Sequence, residues 1–339
     1  MLRVRAAGSA LVALALILAG IASPALAKCT MTRLVEWPVR LERGHLMVDG
    51  AINGRKVGVM LDTGSDTFLF RSATARLGLA ARVARGRRIF GIGGETYVEE
   101  TTVEDVRIGQ LTRQNWPMLV AGERSFGDDV DLVLGEDFFE QADVEFDLPH
   151  GAVRLFRPEG CEGLALGYWA AQGSGQVDLE PAYDAGPRIV VPVRINGRPL
   201  HALLDSGAGI SALDKPVAER LGITADSPGV LFEGVGGGLG AKGVDYWIAR
   251  LQAFTIGDET ISDTFVRFAD LYKDARYTPM ASHLSVRIQS TPDMLLGVDF
   301  LRAHRVLVAY SQRRMYFTYE GGPVFAPQAR ERAPAEPSR

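Results

Sequence analysis

Cysteine is almost missing from this 339-residue chain: Cys29 and Cys161 are the only two. Two isolated thiols form no CxxC pair, which excludes zinc ribbons, fingers and dithiol redox centres. Histidine is also sparse. His45, His150, His201, His283 and His304 show no HxxxH or HExxH spacing, so no metal-ligand set can be read and each imidazole is expected on the surface or in the core. Charge of one sign is lacking too. The net charge is −4 with no long like-charged run, which argues against a nucleic-acid partner. No P-loop and no GxSxG elbow occurs. No cofactor and no metal are expected.

The one long apolar run is N-terminal. Arg3 and Arg5 precede an apolar stretch from Ala10 to Ile21, Pro24 ends it, and Ala25-Leu26-Ala27 forms a small-x-small site before Lys28. Residues 1–27 are expected to be a signal peptide, and the apolar stretch is short for a span needing about 20 residues. The exported chain is expected in the periplasm or medium, with no stable membrane insertion after cleavage. In that oxidising compartment Cys29 and Cys161 are expected to pair as one disulfide.

What the chain has in abundance is glycine, 38 residues, among Val, Ile and Leu runs. That texture points to a mostly β protein, and the length to about two domains. A repeat makes the division specific. Val59-Met60-Leu61-Asp62-Thr63-Gly64-Ser65 and Ala202-Leu203-Leu204-Asp205-Ser206-Gly207-Ala208 are copies at an offset of 143 residues. Ile52-Asn53-Gly54-Arg55 and Ile195-Asn196-Gly197-Arg198 share the same offset. Each copy reads strand, Asn-Gly hairpin turn, strand, then an acid presented at the strand's end. Short helices follow, at Ser72 to Leu77 before Gly78 and at Lys215 to Leu221 before Gly222.

Glycine clusters begin 29 residues after each acid: Gly91-Ile92-Gly93-Gly94 and Gly234-Val235-Gly236-Gly237. Each is expected to tip a β-hairpin and to let the backbone lie close to a ligand. A third shared block follows, Leu132-Val133-Leu134-Gly135 and Met294-Leu295-Leu296-Gly297, with 19 more residues before the second one. The excess is assigned to Asp263 to Pro292. The chain thus divides into a lobe at 28–157, a linker at 158–187, a lobe at 188–320 and a disordered tail at 321–339. Gly238 to Gly243 formally matches GxGxxG, but its surroundings read as a hairpin without a βαβ unit. Ser65 and Ser206 have no base in the sequence and belong to the acid turns.

The doubled order of acid turn, glycine cluster and apolar-apolar-Gly block resembles the aspartic peptidases of the pepsin and retropepsin type. It is most similar to bacterial single-chain, duplicated retropepsin-like proteins. The resemblance covers about 45–157 and 188–319. It implies an all-β acid protease fold: two homologous β-barrel-like lobes around a central cleft, with few short helices. It implies catalytic Asp62 and Asp205, with Thr63, Gly64, Ser65, Ser206, Gly207 and Ala208 supporting the dyad. Thr63 and Ser206 would cross-brace the two loops. The clusters at Gly91 to Gly94 and Gly234 to Gly237 would be flaps, with Ile92 and Val235 touching the peptide or one another. The implied partner is a peptide or protein substrate of a monomeric enzyme; the alternative is a silent two-lobed peptide-binding protein. The flap tyrosine of pepsin-like enzymes has no clear counterpart, Tyr97 lying three residues past Gly94.

Overall fold

The computed structural model describes residues 29–122, 126–127, 130–182, 186–273, 276–277, 286–287 and 291–325. The leader at 1–27 and the tail from 326 lie outside them.

The first copy opens with β1 (Thr30–Pro38), β2 (Arg40–Glu42), β3 (His45–Ile52) and β4 (Arg55–Leu61). Asn53 and Gly54 both take positive φ, 49° and 75°, the geometry of a tight hairpin turn. The Asn53 side chain then accepts the Asp105 amide, pinning the turn to the neighbouring strand. Next come β5 (Phe68–Phe70), α1 (Arg71–Leu77), β6 (Arg82–Gly91), β7 (Gly94–Ile108), β8 (Leu111–Ala121), β9 (Leu132–Leu134) and α2 (Glu136–Phe139). Gly78 closes α1 in the left-handed region at φ 72°. Among the described residues these strands form an eight-stranded sheet in the order β2-β3-β4-β9-β5-β8-β7-β6. Its centre is β4 paired in parallel with β9, which pairs antiparallel with β5. Val59, Leu61, Leu132, Val133 and Leu134 are fully buried, as expected of strands covered on both faces.

The chain then runs through β10 (Asp143–Asp147), β11 (Ala152–Glu159) and β12 (Gly175–Asp178) into the second copy. That copy contains β13 (Val190–Ile195), β14 (Arg198–Leu204), β15 (Ala212–Asp214), α3 (Lys215–Arg220), β16 (Leu231–Gly236), β17 (Val244–Ile256) and β18 (Glu259–Ala269). After it come β19 (Arg276–Tyr277), β20 (Val286–Arg287), β21 (Met294–Leu296), α4 (Val298–Leu301), β22 (His304–Ala309) and β23 (Arg314–Tyr319). Its sheet repeats the central pattern: β14 parallel to β21, and β21 antiparallel to β15. Part of the excess precedes Asp263, because the matching strand ends Ile108 and Ile256 are already 148 apart, five more than the acids; the rest follows β18, and β19 and β20 pair within it.

A six-stranded sheet, β1-β11-β10-β22-β23-β12, takes strands from both copies. Here the start of the first lobe and part of the expected linker form strands. Residues 30–38 pair with β11, and 175–178 within the expected linker pair with β23. Cys29 and Cys161 are disulfide-bonded and tie β1 to the end of β11. At the β10–β22 seam, buried Glu145 accepts from Arg154 at 2.5 Å and from Arg305 at 3.0 Å, one arginine from each copy. A buried carboxylate needs such partners to remain charged.

The expectation of a tail from 321 is corrected at its start. Phe325 is 1% exposed, edge-on to Phe254 at 4.9 Å, and Thr264 donates to the Val324 carbonyl. An aromatic ring of this size is held by the apolar area it removes from water. Phe325→Ala is expected to cost about 3 kcal/mol of stability. Urea denaturation checks this; a midpoint unchanged from wild type would mean that the ring contributes no core packing.

Candidate functional site

The two acids leave parallel-paired strands, so each copy delivers its loop to the same level. The Asp62 amide donates to Leu134 and the Asp205 amide to Leu296, the strand that each apolar-Gly block supplies. Gly135 and Gly297 follow at once. A β-carbon on Gly135 would lie 2.3 Å from the Ser65 carbonyl, and one on Gly297 2.6 Å from that of Ala208. Only glycine lets the acid loop rest there. Asp137 accepts the Thr67 amide at 2.8 Å, and Asp299 accepts the Ser211 amide at 2.9 Å. Thr67 and Ser211 in turn accept the amides of Gly135 and Gly297. These four polar side chains cradle the loops; Asp137 and Asp299 are marked in the sequence only by their place after the block, Thr67 and Ser211 only by following the acid turns.

Between the lobes, Thr63 and Ser206 exchange hydrogen bonds while fully buried. The Thr63 hydroxyl donates to the Leu204 carbonyl at 2.7 Å and accepts the Ser206 amide at 3.0 Å. The Ser206 hydroxyl donates to the Leu61 carbonyl and accepts the Thr63 amide, both at 3.0 Å. Each loop completes the other.

This brace sets the carboxyls face to face. A β-carbon on Gly64 would fall 2.5 Å from the Asp205 carboxyl carbon, and one on Gly207 2.2 Å from that of Asp62. The two carboxyls hydrogen-bond to each other, which requires one shared proton. Burial raises both above the ordinary carboxylate range. Asp205 is raised much further, because the Asp62 charge adds to its burial. Asp62 is held back by the Gly64 amide at 2.9 Å, by its contact with Asp205 and by His45. Asp205 accepts two amides, from Gly207 and Ala208, both at 3.0 Å. Burial and mutual charge together hold one proton on the pair.

Over the pair lie two hairpins of unequal form. The first turns in two residues, Ile92-Gly93, between paired Gly91 and Gly94. In the second, Gly234 to Gly236 belong to β16, and the connection from Gly237 to Gly243 is seven residues long. This connection is the GxGxxG stretch, and its glycines permit contact with the other hairpin. The Gly240 and Lys242 amides donate to the Ile92 and Gly93 carbonyls, both at 3.1 Å. A β-carbon on Gly240 would lie 2.1 Å from the Gly93 carbonyl carbon. Leu239, 8% exposed, covers Gly91. Val235 lines the cleft and stays 67% exposed, and it is Leu239 that meets the first hairpin. Ile92 packs toward Tyr246, Leu271 and Leu295. Tyr97 is 65% exposed beneath the Arg88 guanidinium and faces away from the cleft. Tyr246 lines it instead, its phenol pushed up to about 12 by burial and the nearby Asp205 charge. Beneath the joined hairpins the cleft has a volume of about 350 Å³.

Among the described residues no cluster of three His, Cys, Asp or Glu side chains is placed to hold a metal ion, and no helix is long and apolar enough to cross a membrane. Over residues 48–138 and 191–300 the chain matches the family described as aspartyl protease. It is also similar to the solved structure of a retropepsin-like aspartic protease from Rickettsia conorii, at 20% identity and a TM-score of 0.28, covering 39% of this chain and 95% of that one. A second is an aspartic proteinase from Irpex lacteus, at 14% identity and a TM-score of 0.46, covering 84% of this chain and 97% of that one. No curated protein matches the chain.

A carboxyl raised in the folded state stabilises the fold at low pH and loses that contribution as pH rises through its folded value. Ionising Asp205 beside Asp62 therefore strains the wild type at higher pH. Asp205→Asn removes the strain. The variant's melting temperature minus that of the wild type is expected to grow between about pH 4 and 8. Scanning calorimetry across that range checks it; a flat difference would show that the pair is not coupled.

Proposed function

Because the chain belongs to the aspartyl protease family, we propose that it is an exported aspartic endopeptidase acting as a monomer on extended peptide segments. The supporting observation is the buried Thr63–Ser206 brace, which joins one carboxyl from each copy at the floor of a cleft roofed by two hairpins. Water bound between the carboxyls loses a proton to Asp62 as its oxygen bonds to the peptide carbonyl carbon. Asp205 gives its proton to the carbonyl oxygen, leaving a neutral tetrahedral diol. The proton on Asp62 then passes to the nitrogen as the C–N bond breaks. A diol hydroxyl returns a proton to Asp205. The products are a carboxylic acid and an amine, and the pair regains its starting protonation.

The roles follow from the electrostatics. Asp62, hydrogen-bonded by the Gly64 amide, is the base. Asp205, kept protonated by its neighbour's charge, is the acid. Activity falls at low pH as Asp62 takes a proton and at high pH as Asp205 loses its own, so the profile is bell-shaped. The disulfide between Cys29 and Cys161 supports an oxidising compartment. Amino-terminal sequencing of protein from the periplasm or medium is expected to begin at Lys28.

Asp62→Asn and Asp205→Asn are each expected to lower kcat/KM at least about a thousandfold while the protein stays folded. A peptide library at acid pH, with and without a statine-type inhibitor, supplies the assay. Near-native turnover in either pure variant would end the shared-proton mechanism. Inhibitor binding without any hydrolysis by the wild type would favour a silent peptide-binding protein.

A further inference from the structure

Beyond the two carboxyls, an imidazole reaches an acid loop across the lobe boundary. His45 opens β3, and its Nδ1 lies 3.2 Å from the Gly207 carbonyl of the other copy. A carbonyl only accepts, so Nδ1 carries the proton and Nε2 is the site left to titrate. The approach depends on the preceding residue. Gly44 has φ 85°, and a β-carbon on Gly209 would meet the Gly44 carbonyl at 3.0 Å. Phe126 holds the ring edge-on at 5.1 Å.

The repeat contains a built-in comparison. The residue 143 positions after His45 is Arg188, and its Nη1 donates to the Gly64 carbonyl at 3.1 Å. Gly64 and Gly207 are themselves 143 apart. Each copy therefore sends a nitrogen donor from just before or at its first strand to the glycine carbonyl of the opposite acid loop. The two donors differ in what faces them. Arg188 stands 3.8 Å from buried Glu136, so its charge is paired. At the matching place in the second copy the residue is Val298.

We infer that His45 is a positioning residue for the Asp62–Asp205 pair: its Nδ1–H holds the Gly207 loop against Asp62, and a second proton at Nε2 sets a cation beside that carboxylate. The surroundings allow this reading. Among the described groups, the charge acting on the imidazole is Asp62, from its own lobe's acid loop. The opposite loop offers the Gly207 carbonyl, with Asp205 beyond it as the protonated partner. Phe126 contributes an uncharged ring. Arg43, its neighbour along the chain, turns its guanidinium to Gly127. Burial draws the imidazole below its usual value, and the Gly207 carbonyl and Asp62 partly restore it. The cation is thus present in acid and lost as pH rises. While present, it favours ionised Asp62 against protonation.

The kinetic part rests on the hydrolytic reading above, so the test has one arm without turnover. Histidine Cε1–H resonances, with His45 assigned by its loss in His45→Asn, are titrated in wild type and in the double variant Asp62→Asn/Asp205→Asn, since Asp205 alone would ionise once its neighbour's charge is gone. The His45 midpoint is expected to fall by about half a pH unit or more when the carboxylate is neutralised. Identical midpoints overturn the proposal whether or not the protein cleaves peptides. In the kinetic arm, His45→Asn places an amide nitrogen where Nδ1 stood, keeping the donor without a titrating charge. Its kcat at the optimum is expected within about threefold of wild type, with the acid limb moved to higher pH. His45→Leu keeps neither and is expected to lower kcat more than about tenfold with KM within about twofold. Equal loss in both variants with an unshifted acid limb would mean a packing role only. A wild type that titrates as expected but cleaves nothing would sink the hydrolytic reading and leave His45's coupling to Asp62 standing.

Discussion

Four hydrogen bonds in a dry interface decide what this molecule is. Thr63 and Ser206 have no solvent to fall back on, and each satisfies two backbone groups of the opposite copy. Deleting either hydroxyl orphans an amide and a carbonyl at once, each at a desolvation cost of about 1–3 kcal/mol. Neither lobe can therefore finish its own acid loop. The carboxyls are forced together although their charges oppose it, and the shared proton is the compromise. The remaining scaffold holds that interface in register: the Asp137 and Asp299 cradles from below, and the six-stranded sheet from behind.

That sheet explains how two lobes can support so close a contact. Its seam at Phe146 and Val306 runs antiparallel, with the carboxylate of Glu145 shared by an arginine of each copy. A hinge between the lobes at this level would break backbone pairing and expose a buried charge. The hairpins meet through two backbone hydrogen bonds, the cover of Leu239 and the approach of Gly238 to Ile92.

The sequence displayed the parts of this arrangement that are local and repeated. The 143-residue offset, the Asn-Gly turns and the acid-Thr/Ser-Gly triplets each follow from a turn geometry that few residues can adopt, so they are visible without a fold. The all-β two-lobed fold and the family followed from their doubled order. What stayed hidden is made by pairing across long separations. Residues 175–178 look like linker because their partner strand begins at Arg314. Phe325 looks like the start of a tail because its partners are Phe254 and Phe300. His45 looks like an isolated imidazole because its meaning depends on Gly207. The offset could have revealed that contact, since it aligns His45 with Arg188, but the two residues share no chemistry obvious enough to compare. The GxGxxG stretch shows the opposite case. Its glycines are required, for backbone approach to Gly93 and not for a nucleotide.

The unequal hairpins give the cleft a polarity. Walls related by a perfect two-fold axis would offer an extended chain the same contacts read from amino to carboxyl end or in reverse. Here a two-residue turn faces a seven-residue loop, and an aspartate whose turn glycine is followed by a serine faces one whose turn glycine is followed by an alanine: Asp62 with Ser65, Asp205 with Ala208. The two threading directions are no longer equivalent. Duplication within one chain, unlike assembly from identical subunits, lets each half drift separately, and the two ends of the cleft thereby come to differ in shape and chemistry.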